Sequence, residues 1–96
     1  MRLLIHAPTE AALTRARSNA RNLLAGVPEA EVEIVVNAAA VRAALDAPDT
    51  ETDTLLVFCG NSLRARGLQA PRAPVVAAAV RYIAERQAAG WAYIRA

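Results

Sequence analysis

Short apolar runs alternate along this chain with segments in which apolar residues recur every three or four positions. The runs are typical of buried strands and predict strands at residues 3–5, 32–36, 54–59, 75–76 and 91–94. The segments between them predict four helices. The first is capped by Thr9 and stopped by Gly26, and the others cover residues 38–45, 61–66 and 78–89. This regular alternation predicts an α/β fold, a parallel five-stranded sheet with helices on both faces, formed by residues 1–96 as a single domain.

Single positions add detail to these elements. Glu33 interrupts the second apolar run, which predicts an edge strand or a partly exposed face. The helical spacing directs Arg17 away from the core, and it places one face of the last helix inward, made of Val80, Ile83, Ala84 and Gln87. Residues 46–53 carry four carboxylates but have neither the glycine nor the spacing of a calcium loop, so we expect a solvated loop there.

The composition excludes several classes of function. All 11 basic residues are Arg, so no lysine can act as a nucleophile, a Schiff base or a phosphate-loop residue. One Cys and one His exclude a Cys/His zinc site, and we expect neither a metal nor an organic cofactor. The Arg residues lie among Asp and Glu without stacking aromatic neighbours, which argues against nucleic-acid binding.

The same counts indicate where the protein acts. A lone thiol fits a reducing compartment. No signal-peptide core and no apolar run long enough for a membrane span are present, so we expect a cytoplasmic protein without membrane contact. The apolar excess in a chain of this size suggests burial between subunits.

Polar and reactive residues gather where the predicted strands end. Ligands of open parallel sheets bind beyond the carboxyl ends of the strands. Those ends lie at His6, Asn37 and Cys59 and just after Val76. The sequence therefore places its candidate chemistry along one edge of the sheet.

Cys59 is the leading candidate because it joins a strand to a helix N-terminus, where free N–H groups and the helix dipole favour a thiolate. Gly60 leaves room beside the sulfur, Asn61 and Ser62 can cap the helix or bind an anion, and Arg64 adds positive charge. The alternative is a buried structural cysteine. Exposure of the sulfur at the edge of the sheet separates the two interpretations.

His6 also has two interpretations. It is either a strand-end residue bonded to the next loop, or a base or proton donor near Cys59, which requires the two strand ends to be close. Trp91 and Tyr93 are expected in the core or in an interface rather than as a ligand platform.

Several segments together resemble a known family. They are residues 19–24 (Asn-Ala-Arg-Asn-Leu-Leu), residues 32–36, the Cys-Gly-Asn-Ser-Leu-Arg-Ala-Arg-Gly segment at 59–67, and residues 87–95. In these segments the chain resembles the DsrE/DsrF-like proteins of intracellular sulfur metabolism, in their small single-domain branch. The resemblance implies a three-layer α/β/α fold with a five-stranded parallel sheet and a homo-oligomer, a trimer or hexamer. It also implies a persulfide on Cys59, with His6 and Asn61 assisting.

Three functional hypotheses follow. The first is a sulfur carrier or sulfurtransferase-like protein that exchanges sulfur with a donor or acceptor protein through Cys59. The second is a non-catalytic homo-oligomer that binds a small molecule or anion between subunits, using His6, Asn37, Asn61 and Arg64. The third is a regulatory or scaffold subunit that acts through its apolar surface.

Overall fold

Five strands and four helices alternate along the 96 residues that the computed structural model describes. The strands are β1 (Arg2–Ala7), β2 (Glu31–Val36), β3 (Leu56–Cys59), β4 (Val75–Val76) and β5 (Ala92–Arg95). The helices are α1 (Glu10–Gly26), α2 (Ala39–Asp46), α3 (Gly60–Ala65) and α4 (Ala79–Ala88). No helix combines the length and the apolar character that crossing a membrane requires.

The five strands form one sheet in the order β4-β3-β2-β1-β5, and every neighbouring pair is parallel. The predicted parallel sheet is therefore confirmed, with β1, β2 and β3 in its interior. Of the two alternatives for Glu33, the edge strand is wrong because β2 is interior, whereas the partly exposed face is confirmed, since its side chain is 21% exposed. Glu33 is tolerated in an interior strand because its carboxylate accepts hydrogen bonds from Tyr82 and Arg86 of α4.

Helices cover both faces of the sheet, as predicted, but unequally. Side chains from α1, α2 and α3 share one core cluster with one face of the sheet, whereas α4 packs on the other face with Leu4, Val35, Val57 and Trp91. The connectivity explains this division. The chain steps from β1 to β4 in one direction, then α4 crosses the opposite face to reach β5 at the far edge. The fold is a three-layer α/β/α arrangement.

Most element ends differ from the predicted ones by one or two residues, and two of these differences have a local cause. The third strand begins at Leu56 rather than at residue 54, because residues 53–55 form a 3₁₀ turn. Gly26 is the last helical residue rather than the residue after the helix, which closes with the Val27 N–H donating to the Leu23 carbonyl. The start of the helix is as predicted, since Thr9 Oγ1 accepts from the Ala12 N–H at 3.0 Å.

Arg17 is buried, contrary to the outward position that the helical spacing predicts. Its guanidinium donates to Thr52 Oγ1 at 2.6 Å, to Asp53 Oδ1 at 2.8 Å and to the Ala47 carbonyl at 3.1 Å. Arg21 contacts Asp49 at 2.8 Å. The acidic loop is therefore attached to α1 by ion pairs rather than simply solvated, and an apolar pattern alone cannot reveal that partnership.

The predicted inward face of α4 is wrong except at Ile83, which packs against the core on the sheet side. Val80 is 77% exposed, whereas Tyr82 and Arg86 point towards the sheet. Arg86 donates to both carboxylate oxygens of Glu33, at 2.9 and 3.0 Å, and its guanidinium lies 4.8 Å from the ring centroids of Tyr82 and Trp91. This paired and stacked cation fixes the rotation of α4 in place of the apolar side chains.

Candidate functional site

The carboxyl ends of β3 and β4 form the point at which the helices change face. Cys59 is the last residue of β3 and lies opposite Val76 of β4. From β3 the chain enters α3 on one face, and from β4 it enters α4 on the other. Open α/β sheets bind ligands at such a reversal, because the diverging helices leave a crevice between their N-termini. The fold thus places Cys59 at the position where a ligand site is expected.

The Cys59 thiol is buried and receives hydrogen bonds from both helices. The Ala79 N–H, at the start of α4, donates to Sγ at 3.4 Å. Burial by itself raises the pKa of the thiol. Hydrogen bonds from the Ser62 hydroxyl and from the backbone N–H groups of Ser62, Ala79 and Asn61 outweigh it, so the pKa of Cys59 lies below its ordinary value. The site favours a thiolate.

Gly60 is required by the close approach of β4. A Cβ on residue 60 would lie 2.9 Å from the Val76 carbonyl oxygen, a backbone atom that cannot move aside without shifting the strand. The space that Gly60 leaves beside the sulfur, as predicted, is thus occupied by the backbone of β4 and not by a ligand. The glycine allows α3 to begin directly beside the end of β4.

Ser62 connects the thiol to the turn between β2 and α2. Its hydroxyl donates to Cys59, and its Oγ accepts from the Ala38 N–H at 2.8 Å. Ala38 has φ 50° and ψ −132°, a conformation that side-chain-bearing residues seldom adopt and that costs about 1–3 kcal/mol. The hydrogen bond to Ser62 is one of the contacts that hold this strained turn at the edge of the sheet.

His6 joins Asn37 and Tyr93 in a row across three strand ends. Its Nε2 lies 2.9 Å from Asn37 Oδ1, and its Nδ1 lies 2.9 Å from the Tyr93 hydroxyl. Asn37 Oδ1 can only accept, so Nε2 carries a proton, and the Tyr93 O–H donates to Nδ1 when the ring is neutral. One residue before Asn37, Val36 pairs with Phe58, so the register brings Asn37 beside Cys59.

An open cavity of about 410 Å³ lies along this row, on the α4 face of the sheet. Small-ligand sites have similar volumes. One wall is polar and the other is the face of α4 that contains Val80. The lining residues are His6, Asn37, Ala79, Val80, Ile83, Ala84, Gln87 and Tyr93. No carboxylate, guanidinium or amine is among them.

Cys59 lies directly behind the cavity rather than in its lining. The residue is 4% exposed, and Ala79, which donates to Sγ, is part of the cavity wall. The structure therefore brings His6 and Asn37 into one cavity with Cys59 adjacent to it. The low exposure of Cys59 fits the interpretation as a buried structural cysteine, whereas its hydrogen bonds fit the interpretation as a reactive thiol.

Asn61 and Arg64 lie outside this cavity. Both are exposed on α3, and the Arg64 guanidinium donates to Asn61 Oδ1. The Asn61 backbone N–H donates to the Ala77 carbonyl at 3.2 Å and also lowers the pKa of Cys59, so Asn61 acts at the thiol site through its backbone and not its side chain. The pocket that the sequence predicts from His6, Asn37, Asn61 and Arg64 is thus assembled only in part.

Sequence reasoning missed two contributors to this site. Tyr93, expected in the core or an interface, is 37% exposed and hydrogen-bonded to His6. Ala79 acts through its backbone N–H, which no side-chain motif can reveal. Trp91 is in the core as expected. The position of Tyr93 follows from the pairing of β5 with β1, which the order of elements along the chain does not specify.

A second, larger depression of about 600 Å³ lies between α1 and α2. It contains several Arg side chains, but Arg17 and Arg21 are paired with Asp53 and Asp49. Acidic residues balance most of its positive charge, so this depression is a weaker candidate for an anion site.

Comparisons with known proteins support the fold but assign no activity. No protein-family model matches the chain, and no curated protein matches it. A solved structure of similar fold is that of the protein of unknown function MTH1491 from Methanobacterium thermoautotrophicum. The two are 28% identical with a TM-score of 0.84, over 99% of this chain and 98% of that one. The class defined by fold and site is thus a three-layer α/β protein with a hydrogen-bonded thiol where its helices change face.

Proposed function

We propose that this protein is a sulfur carrier, or a sulfurtransferase-like protein, that holds a persulfide on Cys59. The supporting observation is a buried thiol that accepts a hydrogen bond from the Ala79 N–H at 3.4 Å and whose pKa is lowered by the neighbouring donors of Ser62 and Asn61. The thiolate is the form of cysteine that attacks a sulfane sulfur. The same donors stabilise the anion of the persulfide that forms.

Sulfur transfer requires access to a sulfur that is nearly enclosed in the single chain. The first turn of α4 is the simplest route. Its N-cap residue, Ala78, makes no side-chain hydrogen bond, so apart from the bond from the Ala79 N–H to Cys59 this turn is held by backbone contacts and packing. Opening of this turn moves the Ala79 wall and connects Cys59 to the cavity.

Mass spectrometry of the intact protein tests the proposal. After incubation with a persulfide donor and removal of excess reagent, the protein gains the mass of one sulfur atom, and dithiothreitol reverses the gain. The Cys59→Ala variant gains nothing under the same conditions. A wild-type protein that stays unmodified with every donor, just like Cys59→Ala, would rule the proposal out.

The cavity supports a second candidate function, binding of a small molecule without chemistry at Cys59. Its volume and its row of hydrogen-bonding side chains are the specific observations in favour. This candidate predicts ligand binding by Cys59→Ala as tight as by the wild type. The scaffold alternative rests on exposed apolar side chains such as Val80, and it predicts a stable hetero-complex that does not depend on the thiol.

We also propose that the chain forms a homo-oligomer, a trimer or hexamer, in the cytoplasm, and that a partner protein supplies or receives the sulfur. Support for the oligomer comes from the exposed apolar residues of α4 and β5, and support for the reducing compartment comes from the single free thiol.

A further inference from the structure

We propose that the cavity beside Cys59 selects an uncharged, low-molecular-weight organic persulfide as sulfur donor, and that His6 protonates the thiolate which this donor releases. The inference rests on the proposed sulfur-carrier function. It adds the chemical class of the donor and the source of the proton.

The lining of the cavity determines the donor class. One wall offers the neutral hydrogen-bonding side chains of Asn37, Gln87 and Tyr93, and the α4 wall is apolar. Arg64, on α3, is held by Asn61 and does not reach the lining. An anion such as thiosulfate would lose its hydration there without gaining a counter-charge, whereas a persulfide that enters in its protonated R–S–SH form is uncharged and would bury its carbon chain against α4.

The strand order determines where the leaving group falls. β1 and β3 are separated by β2 alone, and His6 is level with Val57, two residues before Cys59, so the Cα atoms of His6 and Cys59 are roughly 12 Å apart. Attack on a persulfide requires the three sulfur atoms in line, each S–S separation being at least about 2 Å. The line of three sulfur atoms, followed by a hydrogen bond of about 3 Å, covers much of the separation between the thiol and an imidazole nitrogen. The leaving sulfur is thus directed along the cavity, towards His6.

The partners of His6 suit a ring that gains and loses a proton. Asn37 Oδ1 and the Tyr93 hydroxyl oxygen both have lone pairs, so both ring N–H groups of an imidazolium find acceptors. Asn37 lies between His6 and Cys59. Its hydrogen bond to His6 Nε2 therefore turns this nitrogen towards the end of β3.

The step balances without an external oxidant. The Cys59 thiolate attacks the outer sulfur of R–S–SH, and an S–S bond forms to Sγ while the S–S bond of the donor breaks. The electron pair leaves on R–S⁻, which takes a proton from the His6 imidazolium and departs as R–SH. The Cys59 sulfur is oxidised, the released sulfur is reduced, and solvent restores the proton on His6.

Rates of persulfide loading by two donors test the role of His6. His6→Gln keeps an amide within reach of Asn37 but cannot ionise. With the persulfide of β-mercaptoethanol, whose alkyl thiolate is a poor leaving group, we expect loading about 100-fold slower in His6→Gln than in the wild type. With the persulfide of thiophenol, whose thiolate leaves without a proton, we expect a change within about threefold. Equal slowing with both donors would overturn the proton-donor role.

Alkylation by iodoacetamide is the matched control, because iodide leaves without a proton. Its rate should agree between His6→Gln and the wild type, and an equal loss here would assign His6 a merely structural role. Thiosulfate should load the wild type at least tenfold more slowly than the β-mercaptoethanol persulfide. Equally fast loading would overturn the donor class. If no donor loads wild-type Cys59, the sulfur-carrier function itself fails, a result distinct from wild-type loading that is insensitive to His6.

Discussion

At the scale of single residues, the Ser62 hydroxyl is the contact that most lowers the pKa of the Cys59 thiol, against the rise caused by burial. It accepts from the Ala38 N–H at 2.8 Å and donates to Cys59. A hydroxyl that accepts one hydrogen bond donates a stronger one, because each bond polarises the next. The turn at Ala38, on a different strand, thereby contributes to the stability of the Cys59 thiolate.

Replacing Ser62 with Ala therefore shifts the pH dependence of the thiol upwards. The wild-type pKa of Cys59 lies below its ordinary value, so the wild type reacts as a thiolate at lower pH than a free cysteine does. Loss of the hydroxyl removes a donor to the anion, and the pKa rises. At neutral pH we expect iodoacetamide alkylation roughly tenfold slower, from the loss of one hydrogen bond to a charged group.

The measurement is the alkylation rate between about pH 5 and pH 10, a range that brackets the titration of an ordinary thiol. Ser18→Ala, an exposed substitution on α1, serves as the control and should leave the profile unchanged. A Ser62→Ala profile that coincides with the wild type would show that the backbone N–H groups alone set the pKa of Cys59.

At the scale of elements, the strands could be predicted because each contains a short apolar run, interrupted only in the second strand, by Glu33. The junction of Cys59 with a helix N-terminus could also be predicted, since it depends only on neighbouring residues. Strand order could not be predicted, because it is decided by contacts between residues far apart in the chain. The change of helix face between β3 and β4 depends on strand order and could not be predicted either. The rotation of α4 could not be predicted for the same reason, since Glu33 lies 53 residues from Arg86 in the chain.

The N-terminus of α4 controls access to Cys59 if its first turn is the route to the sulfur. Ala78 occupies the N-cap with φ −149° and ψ 133°, the extended conformation that a capping serine adopts, but it has no side-chain oxygen. We expect Ala78→Ser to stabilise the fold by about 1 kcal/mol and to slow Cys59 alkylation roughly fivefold, because the closed turn becomes more favourable.

Urea unfolding and alkylation kinetics measure the two effects. Ala88→Ser, at the other end of α4, gives the control, since a serine there caps no free N–H group. A stabilised Ala78→Ser protein whose thiol reacts as fast as before would mean that Cys59 is reached by another route.

At the scale of the whole molecule, the unequal layers leave one side of the sheet thinly covered. Three helices pack on one face and α4 alone on the other, where the cavity stays open and Val80 is 77% exposed beside it. A neighbouring subunit against this face would bury the apolar wall and limit the entry of water near Cys59. The proposed oligomer and the proposed chemistry therefore involve the same side of the molecule.

Val80 tests this connection. A carboxylate at its position would be placed in an apolar contact if α4 faces another subunit, at a cost of several kcal/mol for each buried charge. We expect Val80→Asp to elute as a monomer in size-exclusion chromatography with light scattering, at concentrations where the wild type is oligomeric. Ser18→Asp introduces the same charge on an exposed position of the opposite layer and should retain the oligomer. Because Val80 makes little contact within its own chain, the helical circular dichroism of both variants should match the wild type. A Val80→Asp protein that remains oligomeric would place the subunit contact elsewhere and leave the cavity open to solvent.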